Sequence, residues 1–301
     1  MKTLSEQQKT SPLTFHTGNP LARIIRRRFS LLFLINIPIV AFLIAPLVVV
    51  IIAAFGRSSF LEFPPSGLTL RWFAQLAGQE QLVLATVLSL KLAAGSSLLG
   101  VLLGVPAALS LERMKFPGVG VLRTLVTAPL IVPSIVTAIA ILLFFGQYGL
   151  QGTFTGLLIA HTVLALPFTV SIVSAGLRGV GDQLEEPAQS LGASKLWAVV
   201  SVTLPAIRSS IFAGAAFAFL MSFDEVVVTL FLSGPGLQTL PVYIFQYIQY
   251  SSDPFIAATA SIMIFFIIAV GVIYGAISYA GGLVKGGAPL PKTDLPMGSG
   301  G

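Results

Sequence analysis

At 301 residues, with 55% hydrophobic and 9% charged side chains, the chain is too poor in charge for a soluble globular domain, where roughly 25% is usual. Its net charge of +6 would point to nucleic acid only on a folded basic face. In a chain this apolar, the cations instead mark which side of a membrane each loop occupies. The absence of cysteine excludes a disulfide framework and thiol chemistry.

Residues 1–28 read as a polar tail ending in a basic collar, Arg23, Arg26, Arg27 and Arg28, which serves orientation or a lipid headgroup. The first apolar run is about 25 residues long, more than a secretory signal carries, and no cleavage site follows it. Span one is expected over 29–55, containing Pro38 and Pro46, which membrane helices tolerate. A polar connection, 56–80, leads to span two over 81–111. Gly100 and Gly104 give that span the spacing that lets a second helix approach closely. After the charged turn 112–118 comes span three, 119–145, with Pro129 and Pro133. Span four, 156–177, carries His161 and Pro167. Span five is expected over 208–232, a short outside segment over 238–253, and span six over 254–284. Residues 285–301 form the second tail.

Six spans place both termini on the cytoplasmic side. Of the seventeen lysines and arginines, all but Arg57, Arg71 and Lys91 then fall on cytoplasmic segments or their edges, as the excess of inside cations requires. The chain is thus expected to be an all-α integral membrane protein with six transmembrane helices. The polar loop between the fourth and fifth, 182–206, faces the cytoplasm.

No phosphate-cradling G-x-x-x-x-G-K-[ST] occurs. His161 is the one histidine beyond the N-terminal tail, so neither a metal site nor a nucleophile–base pair is built easily. No catalytic constellation is found; the chain is expected to move or anchor something and not to be an enzyme.

The polar loop divides into two short helices. Asp182 and Glu185 form an acceptable capping box, and Pro187 fits only near a helix start. Gly192 ends the first helix in a left-handed conformation, and Ser194 caps the second. Leu196, Val199, Val200 and Thr203 share one helical face, until Pro205 stops the helix. An amphipathic hairpin on lipid headgroups explains the amphipathicity but not the fixed Glu, Ala, Gly and Leu-Pro positions together.

Those positions carry a resemblance. Glu186 and Ala188, then Leu191-Gly192-Ala193, then Val202-Thr203-Leu204-Pro205 resemble the EAA loop of permease subunits in ATP-driven bacterial importers. The likeness extends over roughly 30–285. It includes Ser89-Leu90, Ala128 to Pro133, His161 with Pro167-Phe168, Ser222 to Phe231, and Thr239 to Val242. Together these resemble the second permease subunit of the spermidine/putrescine importer group, within the MetI-like permeases. Two departures are Pro187, in place of the first alanine of the EAA triplet, and Lys91, where a small neutral residue is more usual.

The resemblance implies a bacterial inner-membrane location and a heterodimer with a related permease. It also implies two ATP-binding cassette subunits that hold the ATP and magnesium, and a periplasmic binding protein. No cofactor is expected on this chain. The ATPase-coupling residues would be Glu185, Glu186, Ala188, Leu191, Gly192, Ala193, Ser194, Trp197, Leu204 and Pro205. Ionisable residues inside a span are pathway candidates, here Asp224, Glu225 and Lys91, with Ser222 beside them. Asp224 lies sixteen residues beyond Arg208, roughly 24 Å. Lys91 either snorkels to headgroups or neutralises one of the acids. Unneutralised acids favour a polyamine or another small cation; neutralised ones leave iron, phosphonate, sulfate or thiamine open. His161 is expected as an interhelical hydrogen-bond partner. A secondary transporter or channel would instead require paired half-helices or an internal repeat, and a third alternative is a membrane-anchored scaffold.

Overall fold

The computed structural model describes residues 20–114, 117–181 and 183–283. The terminal tails and Asp182, the expected capping partner of Glu185, lie outside the described residues, as do the side chains of the arginine collar. The chain divides into two units, residues 1–49 and 50–301. The first holds the body of helix α1 (Pro20–Ala53), which contains Pro38 and Pro46 and an apolar segment long enough to cross a membrane.

The second unit is helical. After the last turn of α1, residues 56–70 form a small closed loop. Gly56 and Leu68 make an antiparallel bridge, and the buried Trp72 of α2 (Arg71–Leu76) donates its indole N–H to Gly56 O at 2.8 Å. The long helices α3 (Glu80–Arg113), α6 (Phe154–Val180) and α13 (Pro254–Leu283) each match an expected span. Thr153 caps α6, its hydroxyl accepting from Gly156 N at 3.0 Å. Helix α12 (Leu240–Tyr250) falls within the short segment expected over 238–253. Its first N–H, at Leu240, donates to Ser89 Oγ of α3 at 2.8 Å. At its far end Tyr247 donates to Asp253 Oδ2 at 2.9 Å; burial and then that carboxylate push the phenol up to about 12, so it stays a donor.

Helices α3, α6 and α10 (Arg208–Phe223) cross closely because small residues line their contacts. A Cβ added at Gly104 would sit 2.9 Å from Thr169 Cγ2, and one at Gly214 would sit 3.2 Å from the same methyl. Gly100 faces Thr169 and Ala218, so the Gly100/Gly104 spacing is a true contact face. Ser97 adds an interhelical bond to Ala215 O at 2.7 Å.

Two expected spans are not single helices. Span three is α4 (Val119–Thr127), a tight turn at Ala128–Leu130 and α5 (Ser134–Gln147), bent by 104°. Pro133 cannot donate to the turn before it, and a proline disfavours a helical conformation in the residue that precedes it. Span five ends as α10 at Phe223, and the chain restarts as α11 (Val227–Leu232). Helix α11 buries Val228 and Leu232 against Ala138, Phe145, Leu157 and Ala160. Among the described residues, four helices are long and apolar enough to span a membrane, or up to six if two bent pairs, Val119–Leu130 with Ser134–Gln147 and Lys195–Ala206 with Arg208–Phe223, each count as one span.

Candidate functional site

The polar loop forms two helical pieces around a glycine turn. Helix α7 (Glu186–Ser190) has Pro187 in its first turn, where the missing N–H has no intrahelical acceptor to lose. Gly192 adopts φ +91°. Ala193 N donates to Ala188 O at 3.0 Å and Gly192 N to Gln189 O at 2.9 Å, the paired bonds of a Schellman ending. Ser194 caps the next helix, α8 (Lys195–Ala198), its hydroxyl accepting from Trp197 N at 3.2 Å.

Beyond α8 the structure departs from expectation. The helix stops before span five as expected, but one residue past Pro205, at Ala206. Pro205 itself sits inside α9 (Leu204–Ala206), reached through a wide π-turn at Val199–Thr203. Proline cannot donate to the fourth residue back and crowds that carbonyl; widening the turn relieves both. The extra residue also splits the predicted face. Ala198 and Thr203, five apart, are buried, while Leu196 and Val200 point outward at 75% and 53% exposure. A bend of 72° then leads into α10.

Glu185 is 6% exposed. Its Oε1 accepts from the Thr203 hydroxyl at 2.8 Å and lies 3.7 Å from Arg113 Nε at the end of α3. Arg113 also donates to Gly181 O at 2.6 Å. The adjacent Glu112 holds Arg178 of α6 at 2.7 Å and Arg123 of α4 at 3.2 Å. The loop is therefore tied through Glu185 to the end of α3, which Glu112 in turn joins to α4 and α6, while Glu186, Leu191, Gly192 and Trp197 remain on its surface. Pro187, Ala188, Leu191, Gly192, Ala193, Ser194, Trp197 and Val202 line an open hollow of about 710 Å³ there. The sequence names Thr203 on the face of the second helix and Glu112 and Arg113 within the charged turn 112–118, but nothing in it signals that Arg113 and Thr203 meet Glu185.

At the other site, the break after α10 leaves Asp224 exposed. Glu225 turns back, and its Oε1 accepts from Val228 N at 2.8 Å, satisfying a free donor of α11's first turn. Ser222 is buried at 5% exposure, its hydroxyl 2.8 Å from His161 Nδ1. The other ring nitrogen, Nε2, lies 2.9 Å from Thr229 Oγ1, so His161 is an interhelical hydrogen-bond partner. Lys91 is exposed on the α3 stripe of Leu84, Val87 and Leu98 and makes no salt bridge among the described residues. Of the four pathway candidates, the fold brings Ser222, Asp224 and Glu225 together and leaves Lys91 apart. No group of His, Cys, Asp and Glu among the described residues could hold a metal ion.

Residues 100–279 match the family model of the binding-protein-dependent transport system inner membrane component. The chain belongs to this family. It is 32% identical over 231 residues to the putrescine transport system permease protein PotI of Escherichia coli K12, covering 74% of this chain and 82% of that one. It is 31% identical over 226 residues to the spermidine/putrescine permease PotC of the same strain, covering 75% and 85%. A bacterial ABC transporter that imports alginate shares the fold with a TM-score of 0.65 at 13% identity, over 84% of this chain and 96% of that one. The chain is thus a multi-pass inner-membrane ABC importer permease similar to the polyamine permeases. That assignment displaces the secondary-transporter reading, although the half-helices it required are present.

Proposed function

We propose that this permease forms half of the translocation pathway for a small organic cation, a polyamine of the putrescine or spermidine class, with Asp224 on the path. The observation that carries this reading is the exposed Asp224 carboxylate at a helix break, with no salt bridge to a cation among the described residues. A carboxylate at that depth is costly unless a cation or water meets it. The similarity to PotI and PotC supports the same substrate class. Glu225 is committed to the backbone and Ser222 to His161, so both serve the path by shaping the break. Lys91, on an outward apolar stripe, snorkels toward headgroups and leaves the acid unneutralised.

The other half is a related permease, with two ATP-binding cassette subunits below and a periplasmic binding protein above. The excess of cations on the loop side orients the 183–206 loop and both termini to the cytoplasm. There the loop's surface, Glu186 with Leu191, Gly192 and Trp197, meets the ATPase, while Glu185 anchors it from within. The chain itself carries no catalytic role and binds no cofactor. Reconstitution with the partner subunits and the binding protein tests this. ATP-dependent uptake of labelled putrescine or spermidine is expected, and it falls when Asp224→Asn replaces the wild type in an assembled complex. Polyamine uptake unaltered by that substitution removes Asp224 from the path, and gradient-driven uptake by the chain alone removes the importer reading.

A further inference from the structure

The break between α10 and α11 contains neither proline nor glycine, so something else must hold two helix ends at a fixed angle. The hydrogen bonds around His161 supply it, and their direction can be deduced. Thr229 Oγ1 lies 3.0 Å from Glu225 O. A carbonyl oxygen only accepts, so the one hydroxyl proton of Thr229 goes there. Thr229 Oγ1 must then accept from His161, which places the ring proton on Nε2. The neutral ring has one N–H, so Nδ1 is an acceptor and takes the proton of Ser222. A directed chain results: Ser222 to His161, His161 to Thr229, Thr229 to the carbonyl of Glu225 inside the break. It starts at the end of α10, passes through α6 and finishes on the segment that presents Asp224. His161 itself is 1% exposed, so the chain has no competing water.

We infer that His161 is a positioning residue for translocation, its ring stapling the two halves of the broken helix so that the 224–226 segment holds Asp224 at the surface. The staple makes α10 and α11 move with α6 as one body, because each half gives it a hydroxyl. Ser97 bonded to Ala215 O and Val228 packed against Leu157 and Ala160 fix the two halves only up to the break. The staple closes across it, bonding Ser222 on one side and Thr229 on the other. The inference rests, for its functional part, on the reading that Asp224 lines the path.

The chain lacks cysteine, so a single Asp224→Cys substitution places its one thiol at the break, probed in a transporter assembled with cysteine-free partner subunits. The rate of modification by aminoethyl methanethiosulfonate is measured with His161 intact and in His161→Leu, His161→Gln, His161→Asn and Thr229→Val backgrounds. Losing one buried hydrogen bond corresponds to about tenfold. His161→Leu and Thr229→Val are therefore expected to change the labelling rate by about tenfold. His161→Gln, whose amide donor reaches Thr229, and His161→Asn, which serves Ser222, each keep one arm of the staple and fall between wild type and His161→Leu. Wild-type labelling in both His161→Leu and Thr229→Val overturns the staple. Should His161→Leu fail to assemble, the near-isosteric Thr229→Val carries the measurement. Uptake with Asp224 intact is read in the same backgrounds. A changed labelling rate with unchanged uptake overturns the role in translocation and, with it, the path reading of Asp224. Unchanged labelling overturns the staple and leaves that reading standing.

Discussion

Gly192 separates conformation from contact at the loop. Its φ of +91° is one that side-chain-bearing residues rarely adopt, yet a Cβ there would meet nothing within 4 Å. Substitution is therefore a backbone perturbation with no internal clash. A non-glycine residue in the left-handed region costs about 1–2 kcal/mol, and a β-branched one about 3. The turn is held by two backbone bonds and the Ser194 cap, each contributing about 1 kcal/mol. The strain of valine is thus as large as everything holding the turn, and Gly192→Val should let α7 swing away from α8. Asparagine tolerates this region and should leave the turn intact; alanine should fall between them. In proteoliposomes with partner ATPase, the expected order of ATP-coupled uptake is glycine, asparagine, alanine, valine, with ATP hydrolysis persisting uncoupled in the valine variant. Uptake by Gly192→Val equal to wild type refutes the reasoning. Asparagine failing as badly as valine would mean that bulk at the ATPase contact, not φ, sets the requirement.

Glu185 is buried and its partner Arg113 partly so, so Arg113→Met strands a carboxylate and should lower stability by about 3 kcal/mol, read by thermal unfolding in detergent. Glu185→Gln, which keeps the Thr203 bond, should cost less than Glu185→Ala; equal losses would mean that the Thr203 bond contributes nothing. Gly104→Val drives a branched side chain into Thr169 and should destabilise by about 1–3 kcal/mol, whereas Gly118→Ala, in open space, tests φ alone. Lys91→Gln should leave the ratio of polyamine uptake to ATP hydrolysis unchanged, and a gain in cation preference would place Lys91 on the path after all.

The helices that cross without interruption were readable because apolar length is a sufficient signal for them. The glycine turn and the Ser194 cap were readable because φ above zero and a free helix N–H each demand particular residues. The breaks were harder. Pro129 and Pro133 lie at the one in span three, but they do not mark it in advance, because membrane helices carry prolines intact, as α6 does at Pro167. The break after Phe223 has no such residue; Glu225 and Thr229 create it by taking backbone groups away from the helix. That competition needs His161, sixty-one residues from Ser222, and no local pattern reveals a partner so distant. The π-turn was hidden for a similar reason. A face drawn at 3.6 residues per turn assigns Thr203 to the side of Leu196, whereas one extra residue turns it inward to Glu185.

Both candidate sites solve one problem in the same way. Each has two adjacent acids, Glu185-Glu186 at the start of α7 and Asp224-Glu225 in the break, and in each the two side chains part, one inward and one to the surface. In each pair one acid is turned inward and spends its charge on the chain's own structure. Glu185 holds Thr203 and Arg113; Glu225 holds the Val228 N–H. The other acid, Glu186 or Asp224, is left on the surface. The inward acid fixes the backbone that aims the outward one, so exchanging their order should damage both jobs at once. Neutralising the inward acid should perturb structure before function, and neutralising the outward acid should do the reverse. A Glu225→Gln variant that assembles normally yet loses uptake as fully as Asp224→Asn would show that this division of labour does not hold at the break.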